Sequence, residues 1–189
     1  EENVPYCPEP LIKTTEDVQA LNSPDLLLSE RTRDRILGAR LFRKKLGKDV
    51  PVIGWVEGPL AEACDLVGVS EMLIKLASEA EFCKTLLAKL AHTTKTFALA
   101  QIEAGCNIIG MGDAICSQIS PQMYAEFVKD HHREIINFIN DHGALVKLHI
   151  CGDITRILPH IAEIKPDIVD LDWMVDTQYA YETLGPKVC

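Results

Sequence analysis

His149 and Cys151 are the residues of this sequence whose types and spacing most directly suggest chemistry. They lie in Leu-Val-Lys-Leu-His-Ile-Cys-Gly-Asp, an apolar run with strand propensity that ends in a Gly-Asp turn. Side chains at positions i and i+2 of a strand point the same way. Because imidazole nitrogen and thiolate sulfur both bind zinc, the pair predicts two ligands of a metal site. The alternative interpretation is a buried cysteine beside a hydrogen-bonded histidine at the end of a strand.

Acidic residues follow the other predicted strands in the same way. They are Glu57 after strand 50–56, Asp113 after strand 106–111, and Asp172 after strand 167–171. The strand that carries His149 is predicted at 144–150. Polar and acidic side chains that repeatedly follow buried strands are typical of sites built at the carboxyl ends of a parallel sheet.

Segments with helical periodicity separate these strands and predict the fold. They are 29–46, 60–67, 71–104 with a break near Ser78, 121–141, 154–163 and 177–184. Strands that alternate with helices through short loops indicate parallel strands and right-handed crossovers. The predicted fold class is therefore α/β, a parallel (β/α) barrel of TIM type. Only about half of it is present, since a complete barrel takes about 250 residues.

The organisation along the chain divides into two parts. Residues 1–49 are predicted to form an N-terminal arm and helices, and residues 50–189 the partial barrel. The apolar face of helix 29–46 is predicted from Ile36, Leu37, Leu41 and Leu46, with its arginines and lysines in solvent. His131 and His132 are interpreted as exposed or core residues of helix 121–141 rather than ligands. Residues 185–189 are expected to start a fifth strand.

Composition excludes several partners. The net charge of −9 over 189 residues argues against a nucleic-acid backbone and an anionic membrane surface. No apolar run approaches the roughly 20 residues that span a bilayer. Seven cysteines, odd in number and irregular in spacing, favour free thiols in the cytoplasm. The open edges of half a barrel predict pairing with a second copy, so a homodimer is expected.

Four segments carry a resemblance to a known family. They are Val-Ile-Gly-Trp-Val-Glu-Gly-Pro-Leu, Ile-Ser-Pro-Gln-Met-Tyr-Ala-Glu-Phe, Leu-His-Ile-Cys-Gly-Asp and Asp-Leu-Asp-Trp-Met-Val-Asp. Their order and spacing resemble the uroporphyrinogen decarboxylase superfamily over roughly residues 50–189. The His-x-Cys-Gly element is similar to that of the corrinoid-dependent branch, the methylcobamide:coenzyme M methyltransferases.

The resemblance implies a zinc-dependent methyltransferase. Such an enzyme moves a methyl group between a corrinoid, carried by a partner protein, and a thiol or similar small acceptor. His149 and Cys151 match the family's zinc ligands. The family's third ligand, a cysteine far downstream, has no counterpart here, and Cys189 is expected at the wrong end of its strand.

The carboxylates are given supporting roles as hypotheses. Glu57 and Asp113 are expected to complete the zinc coordination or to orient substrate, and Asp172 to accept the second N–H of His149. Free thiols have a pKa of about 8.5 and are mostly protonated at neutral pH. Zinc would hold a thiol in its deprotonated, nucleophilic form.

Two alternative functions remain open. The first is a tetrapyrrole decarboxylase of the uroporphyrinogen decarboxylase type, which needs no metal and uses an arginine-rich N-terminal segment. The second is a non-catalytic corrinoid-binding or partner-docking module. Its usual Asp-x-His-x-x-Gly motif is not completed by Asp130-His131-His132-Arg133. Bound zinc that is lost in His149→Ala would favour the methyltransferase.

Overall fold

A parallel four-stranded sheet organises the fold in the computed structural model, which describes residues 9–189. The strands are β1 (Ile53–Glu57), β2 (Ile108–Gly112), β3 (Leu145–His149) and β4 (Ile168–Asp170). They lie in chain order, and each pairs in parallel with the next. The predicted parallel α/β fold is thus confirmed.

Helices precede and connect the strands. They are α1 (Thr15–Ala20), α2 (Glu30–Leu46), α3 (Pro59–Val67), α4 (Val69–Ser78), α5 (Ala80–Glu103), α6 (Pro121–Met123), α7 (Lys129–Asp141), α8 (Leu158–Ile164) and α9 (Thr177–Leu184). The predicted break near Ser78 separates α4 from α5. A 3-10 turn, Ala114–Gln118, follows β2, and a π-helical turn, Tyr124–Val128, joins α6 to α7.

The two faces of the sheet differ in burial. Residues that point towards the helices, such as Val56, Ile109 and Leu148, are buried. The opposite face, here called the inner face, carries the alternate residues of each strand. They are Ile53, Trp55 and Glu57 on β1, Ile108, Gly110 and Gly112 on β2, and Leu145, Lys147 and His149 on β3. Helices on one face of consecutive parallel strands are what the wall of a (β/α) barrel requires.

Side chains of α5 cover the outer edge of β1. The amide of Gln101 accepts from the main-chain N–H of Trp55 and donates to its carbonyl, both at 3.0 Å. The hydroxyl of Thr94 donates to the carbonyl of Glu57 at 3.0 Å. Gln101 and Thr94 are buried, so this part of the edge is already satisfied without a partner strand.

Cys189 forms main-chain hydrogen bonds with the outer edge of β4. Val169 N–H donates to the carbonyl of Cys189 at 2.9 Å, and Cys189 N–H donates to the carbonyl of Asp167 at 3.0 Å. This pattern is that of a parallel neighbour, as expected for residues 185–189. Cys189 therefore lies beside the amino end of β4, opposite to the end where His149 and Cys151 lie.

The prediction for the buried face of α2 was wrong. Ile36 is buried, but Leu37, Leu41 and Leu46 are 50, 52 and 42% exposed. Arg43, expected in solvent, instead turns inward, and its Nε donates to the carbonyl of Gly105 at 2.9 Å. This polar anchor fixes the rotation of the helix, which periodicity alone left open.

The N-terminal helices share one core with the barrel segment. Val18 of α1 and Ile36 of α2 belong to the same buried cluster as the strand residues. The arm predicted at the start of the chain lies mostly outside the described residues, as does Cys7. None of the helices formed by residues 9–189 combines the length and apolarity needed to cross a bilayer.

Candidate functional site

The strand register brings two predicted site residues to one edge of the sheet. Glu57 pairs with Gly112, Gly112 with His149, and His149 with Asp170. These four residues end their strands and define what is called here the rim. The carboxyl ends of the strands are the edge where (β/α) barrels build their sites. The rim is the strongest candidate for the functional site.

His149 and Cys151 contact each other at the rim. His149 Nε2 lies 3.2 Å from Cys151 Sγ. His149 Nδ1 lies 3.1 Å from the main-chain carbonyl of Asp170, to which it donates. That bond leaves the lone pair on Nε2, so the Cys151 thiol is the donor of the pair. The imidazole is half-buried and the thiol is exposed.

This donor pair fits zinc chemically. Nitrogen and sulfur are both first-choice ligands of zinc, and structural or catalytic sites need three or four protein ligands. A ligating histidine usually donates its other N–H to a carbonyl or carboxylate, which fixes its tautomer and orientation. The carbonyl of Asp170 already does this for His149. The pair could therefore supply two ligands, and further ligands must come from other residues.

Asp172 does not contact His149 as expected. Its Oδ2 accepts from the main-chain N–H of Gly152 at 2.6 Å. Gly152 has a φ of +90°, a conformation that side chains other than hydrogen rarely allow. Asp172 thus fixes the turn after Cys151, while the residue two positions earlier, Asp170, takes the contact with the imidazole. Asp170 is the last residue of β4, and Asp172 lies just beyond it, although the strand was predicted to run to residue 171.

The Asp113 side chain points into the interior rather than along the rim. Its carboxylate is completely buried and accepts from the main-chain N–H groups of Leu60 at 3.2 Å and Ala61 at 2.8 Å. These are orphan donors in the first turn of α3, whose own N-cap, Gly58, offers no side chain. Asp113 therefore caps a helix from another segment, and the expectation that it lines the site is corrected.

Gly58 is required for this capping contact. A Cβ at Gly58 would lie 2.4 Å from Asp113 Oδ2 and 2.5 Å from its Cγ. Pro59, the first residue of α3, has no N–H to satisfy. The segments 57–59 and 112–113 therefore pack against each other, with Gly58 leaving the space that the Asp113 carboxylate occupies.

A buried polar network continues from Asp113. His132 Nε2 lies 2.9 Å from Asp113 Oδ2, and the Tyr124 hydroxyl lies 3.0 Å from His132 Nδ1. Burial, together with the neighbouring Asp113 carboxylate, raises the pKa of Tyr124 well above its usual value, so the hydroxyl keeps its proton. In the neutral tautomer of His132, Tyr124 donates to Nδ1 and the Nε2–H donates to Asp113.

The same network is the one metal-ligand cluster found among the described residues. Ligand atoms of Asp113, Cys116 and His132 lie within 4.8 Å of one another, and all three residues are buried. Burial and the neighbouring Asp113 charge raise the pKa of the Cys116 thiol well above its usual value. Because Asp113 and His132 already satisfy each other, the network is complete without an ion. His132 was expected to be either exposed or a core residue, and the structure places it in the core, although its partners were not foreseen.

Glu57 is the carboxylate that does remain on the rim. Its Oε1 accepts from Trp55 Nε1 at 2.9 Å. Partial desolvation, and secondarily the charges of Asp113 and Asp65, raise its pKa, against the opposing effect of the Trp55 hydrogen bond. Desolvation also raises the pKa of Glu62 nearby. Both acids line a crevice of about 280 Å³ between β1 and α2.

Together these features define a class of protein: a (β/α)-barrel protein with an imidazole–thiol pair and a carboxylate at the carboxyl ends of its strands. The chain belongs to the uroporphyrinogen decarboxylase family. The family model described as Uroporphyrinogen decarboxylase (URO-D) matches residues 1–189.

Relatives with two different activities resemble this chain. A methylcobamide:CoM methyltransferase of Methanosarcina barkeri is 29% identical over 141 residues, which cover 74% of this chain and 41% of the relative. A uroporphyrinogen decarboxylase of Carboxydothermus hydrogenoformans is 29% identical over 152 residues, covering 77% and 43%. The chain therefore spans less than half the length of these two relatives.

A solved structure supports the fold. A methyltransferase from Methanosarcina mazei superposes with a TM-score of 0.82 at 25% identity, covering 89% of this chain and 50% of that one. The described residues thus correspond to about half of a larger barrel. The comparisons agree on a family of enzymes, methyltransferases and decarboxylases, and leave the choice between them to the site.

Proposed function

We propose that this chain is part of a zinc-dependent methyltransferase that moves a methyl group between a protein-bound corrinoid and a thiol or similar acceptor. The observation that carries the proposal is the 3.2 Å contact between His149 Nε2 and Cys151 Sγ at the rim. A metal-free decarboxylase has no evident need for this pair. The name of the Methanosarcina barkeri relative supports the same activity.

Zinc, when bound, would supply a Lewis acid that holds a thiol as thiolate. The chain's own residues prepare the site. The Asp170 carbonyl orients the imidazole so that Nε2 faces Cys151, and Asp172 fixes the turn that presents the thiol. Glu57 offers a carboxylate at the other end of the rim, either as a further ligand or to orient the acceptor.

The methyl transfer itself is a displacement. The corrinoid, when bound, would supply the methyl group to the thiolate sulfur and would keep the electron pair of its cobalt–carbon bond. The corrinoid belongs to a partner protein, which we place against the rim. We also place the reaction in the cytoplasm, because the buried cysteines Cys64, Cys83, Cys106 and Cys116 are free thiols. The edge of β4 is the edge we propose for any homodimer contact.

Zinc content tests this proposal. We expect stoichiometric zinc in the full-length protein and at least a tenfold loss of affinity in His149→Ala and Cys151→Ser. Cys189→Ser is the matched control, because Cys189 lies at the opposite end of the sheet. Zinc binding that is unchanged in both rim variants would exclude the proposal. Loss of methylcobalamin on addition of a thiol, followed by absorbance, reports the activity.

A second candidate is a tetrapyrrole decarboxylase. It is favoured by the equal identity, 29%, of the Carboxydothermus hydrogenoformans relative. Decarboxylation of uroporphyrinogen by metal-free protein, retained in Cys151→Ser, would support it. The same protein would then fail to demethylate methylcobalamin.

A further inference from the structure

The indole of Trp55 lies flat across β2 on the inner face of the sheet. A Cβ at Gly110 would lie 2.4 Å from Trp55 Cε3, and one at Gly112 would lie 2.5 Å from Trp55 Cζ2. The six-membered part of the indole thus occupies the space that two side chains of β2 would otherwise fill. The middle of the inner face is therefore an aromatic surface built on two glycines.

Trp55 is held in this position by polar contacts. Gln101, a buried residue of α5, binds both main-chain groups of Trp55 at 3.0 Å. The indole N–H donates to Glu57 Oε1 at 2.9 Å. Gln101 binds the backbone of Trp55, the β2 glycines lie against one face of the ring, and Glu57 accepts from the ring nitrogen. These contacts hold the indole in position before a ligand binds. A preorganised surface loses little entropy on binding.

The strand register places this surface beside the imidazole–thiol pair. Gly110 and Gly112, which the indole covers, pair with Lys147 and His149 of β3. Trp55 therefore reaches across β2 towards His149, while Glu57 lies on its other side. A molecule whose sulfur reacts near Cys151 would extend its remaining atoms over the indole.

We propose that Trp55 determines specificity by forming the apolar floor on which the carbon chain of the thiol acceptor lies. The inference rests on the proposed methyltransferase function and names its acceptor class: a thiol with a short apolar chain. The two glycines set the height of this floor, and Glu57 sets the orientation of the ring. Lys147, paired with Asp170 at 2.7 Å, borders the floor on the far side.

A series of alkanethiols from methanethiol to butanethiol tests the proposal in the full-length protein. With Trp55 present, kcat/KM for methylcobalamin demethylation should rise roughly fourfold per added methylene, mainly through KM. In Trp55→Ala the rise in kcat/KM per added methylene should fall below about twofold. Gly110→Ala, which displaces the indole without removing it, should flatten the series in the same way.

Two controls separate this role from packing of the barrel interior. Trp173→Phe alters an indole that is 89% exposed and should leave the series unchanged. Trp55→Phe keeps an aromatic floor and should keep at least half of the gain per methylene. If Trp55→Ala lowers stability but leaves the dependence on chain length intact, Trp55 is only a packing residue and the proposal is overturned.

Fluorescence provides a readout that does not depend on turnover. Butanethiol should change the tryptophan emission of wild type and Trp173→Phe, and this change should be lost in Trp55→Phe. An equal change in Trp55→Phe would contradict the floor. Failure of the zinc proposal would show differently, as unchanged zinc content in His149→Ala, so the two failures are distinguishable.

Discussion

The main-chain N–H of Asp113 donates to the main-chain carbonyl of His149 at 3.0 Å. This bond joins the residue that caps α3 from the interior to the imidazole that faces Cys151. The buried network around Asp113 and the rim at His149 are therefore linked by a main-chain hydrogen bond between the ends of β2 and β3. A change at Asp113 can reach the proposed zinc site without any contact between the side chains.

Gly58→Ala should destabilise the protein, because its new Cβ would overlap Asp113 atoms at 2.4–2.5 Å. The overlap is with a buried carboxylate that cannot move without losing its bonds to α3. We expect a loss of about 1–3 kcal/mol in the free energy of unfolding, measured by urea denaturation.

Gly38→Ala is its matched control. Gly38 lies within α2 and has nothing within 4 Å of a built Cβ, so alanine should stabilise the helix by about 0.5–1 kcal/mol. Equal effects of the two substitutions would contradict the steric account of the Gly-Pro turn.

His132→Ala should cost about 2–5 kcal/mol of unfolding free energy. It leaves a cavity in the core and removes the side-chain donor of the buried Asp113 carboxylate, which keeps the main-chain N–H groups of Leu60 and Ala61. Asp130→Asn, in the same helix, removes an exposed carboxylate paired with Arg133 and should cost at most about 1 kcal/mol. Denaturant titration of both variants measures the difference. A loss below 1 kcal/mol for His132→Ala would mean that the network contributes little.

Cysteine alkylation should follow exposure. Cys151 and Cys189 are exposed, whereas burial raises the pKa of Cys64 to about 12 and that of Cys83 to about 11. N-ethylmaleimide at neutral pH should label the two exposed thiols within minutes and the buried thiols of Cys64, Cys83, Cys106 and Cys116 only on unfolding, as measured by peptide mass spectrometry. Added zinc should protect Cys151 and leave Cys189 reactive. Protection of both would argue against a site confined to the rim.

Glu57→Gln should raise stability at neutral pH. Desolvation raises the folded-state pKa of Glu57 above 4.5, the value in the unfolded chain. Between these two pKa values the folded state binds more protons than the unfolded state, so stability falls as pH rises through this range. The variant should therefore melt higher than wild type at pH 7, and the difference should vanish below pH 4.5.

Asp17→Asn gives the opposite sign. Main-chain N–H groups of Lys13 and Thr14 hydrogen bond to Asp17 and lower its pKa, so its carboxylate stabilises the folded state above the unfolded-state pKa. This variant should melt lower than wild type at pH 7 and match it in strong acid. Melting temperatures of wild type, Glu57→Gln and Asp17→Asn, measured from strong acid to pH 7, test both expected signs.

Local patterns along the chain were sufficient to predict the fold class and the proximity of His149 and Cys151. The spacing of two residues predicted that His149 and Cys151 lie together, as they do. Because β3 ends at His149, however, Cys151 is placed by the turn that Asp172 holds and not by alternation within the strand. The order of strands and helices gave the parallel sheet, since short connections between alternating elements leave few topologies. The break near Ser78 was also a local feature that sequence predicts.

The directions of the side chains just beyond the strands are set by the folded structure. Asp113 and Asp172 lie just past their strands, where the alternation rule no longer applies, and each turned towards an unsatisfied backbone donor. The Trp55 indole can lie across β2 because the residue that pairs with Trp55 is Gly110, which is 55 residues later in the chain. Such contacts join segments distant in the chain, and their geometry is fixed by packing and hydrogen-bond satisfaction, which no local pattern encodes.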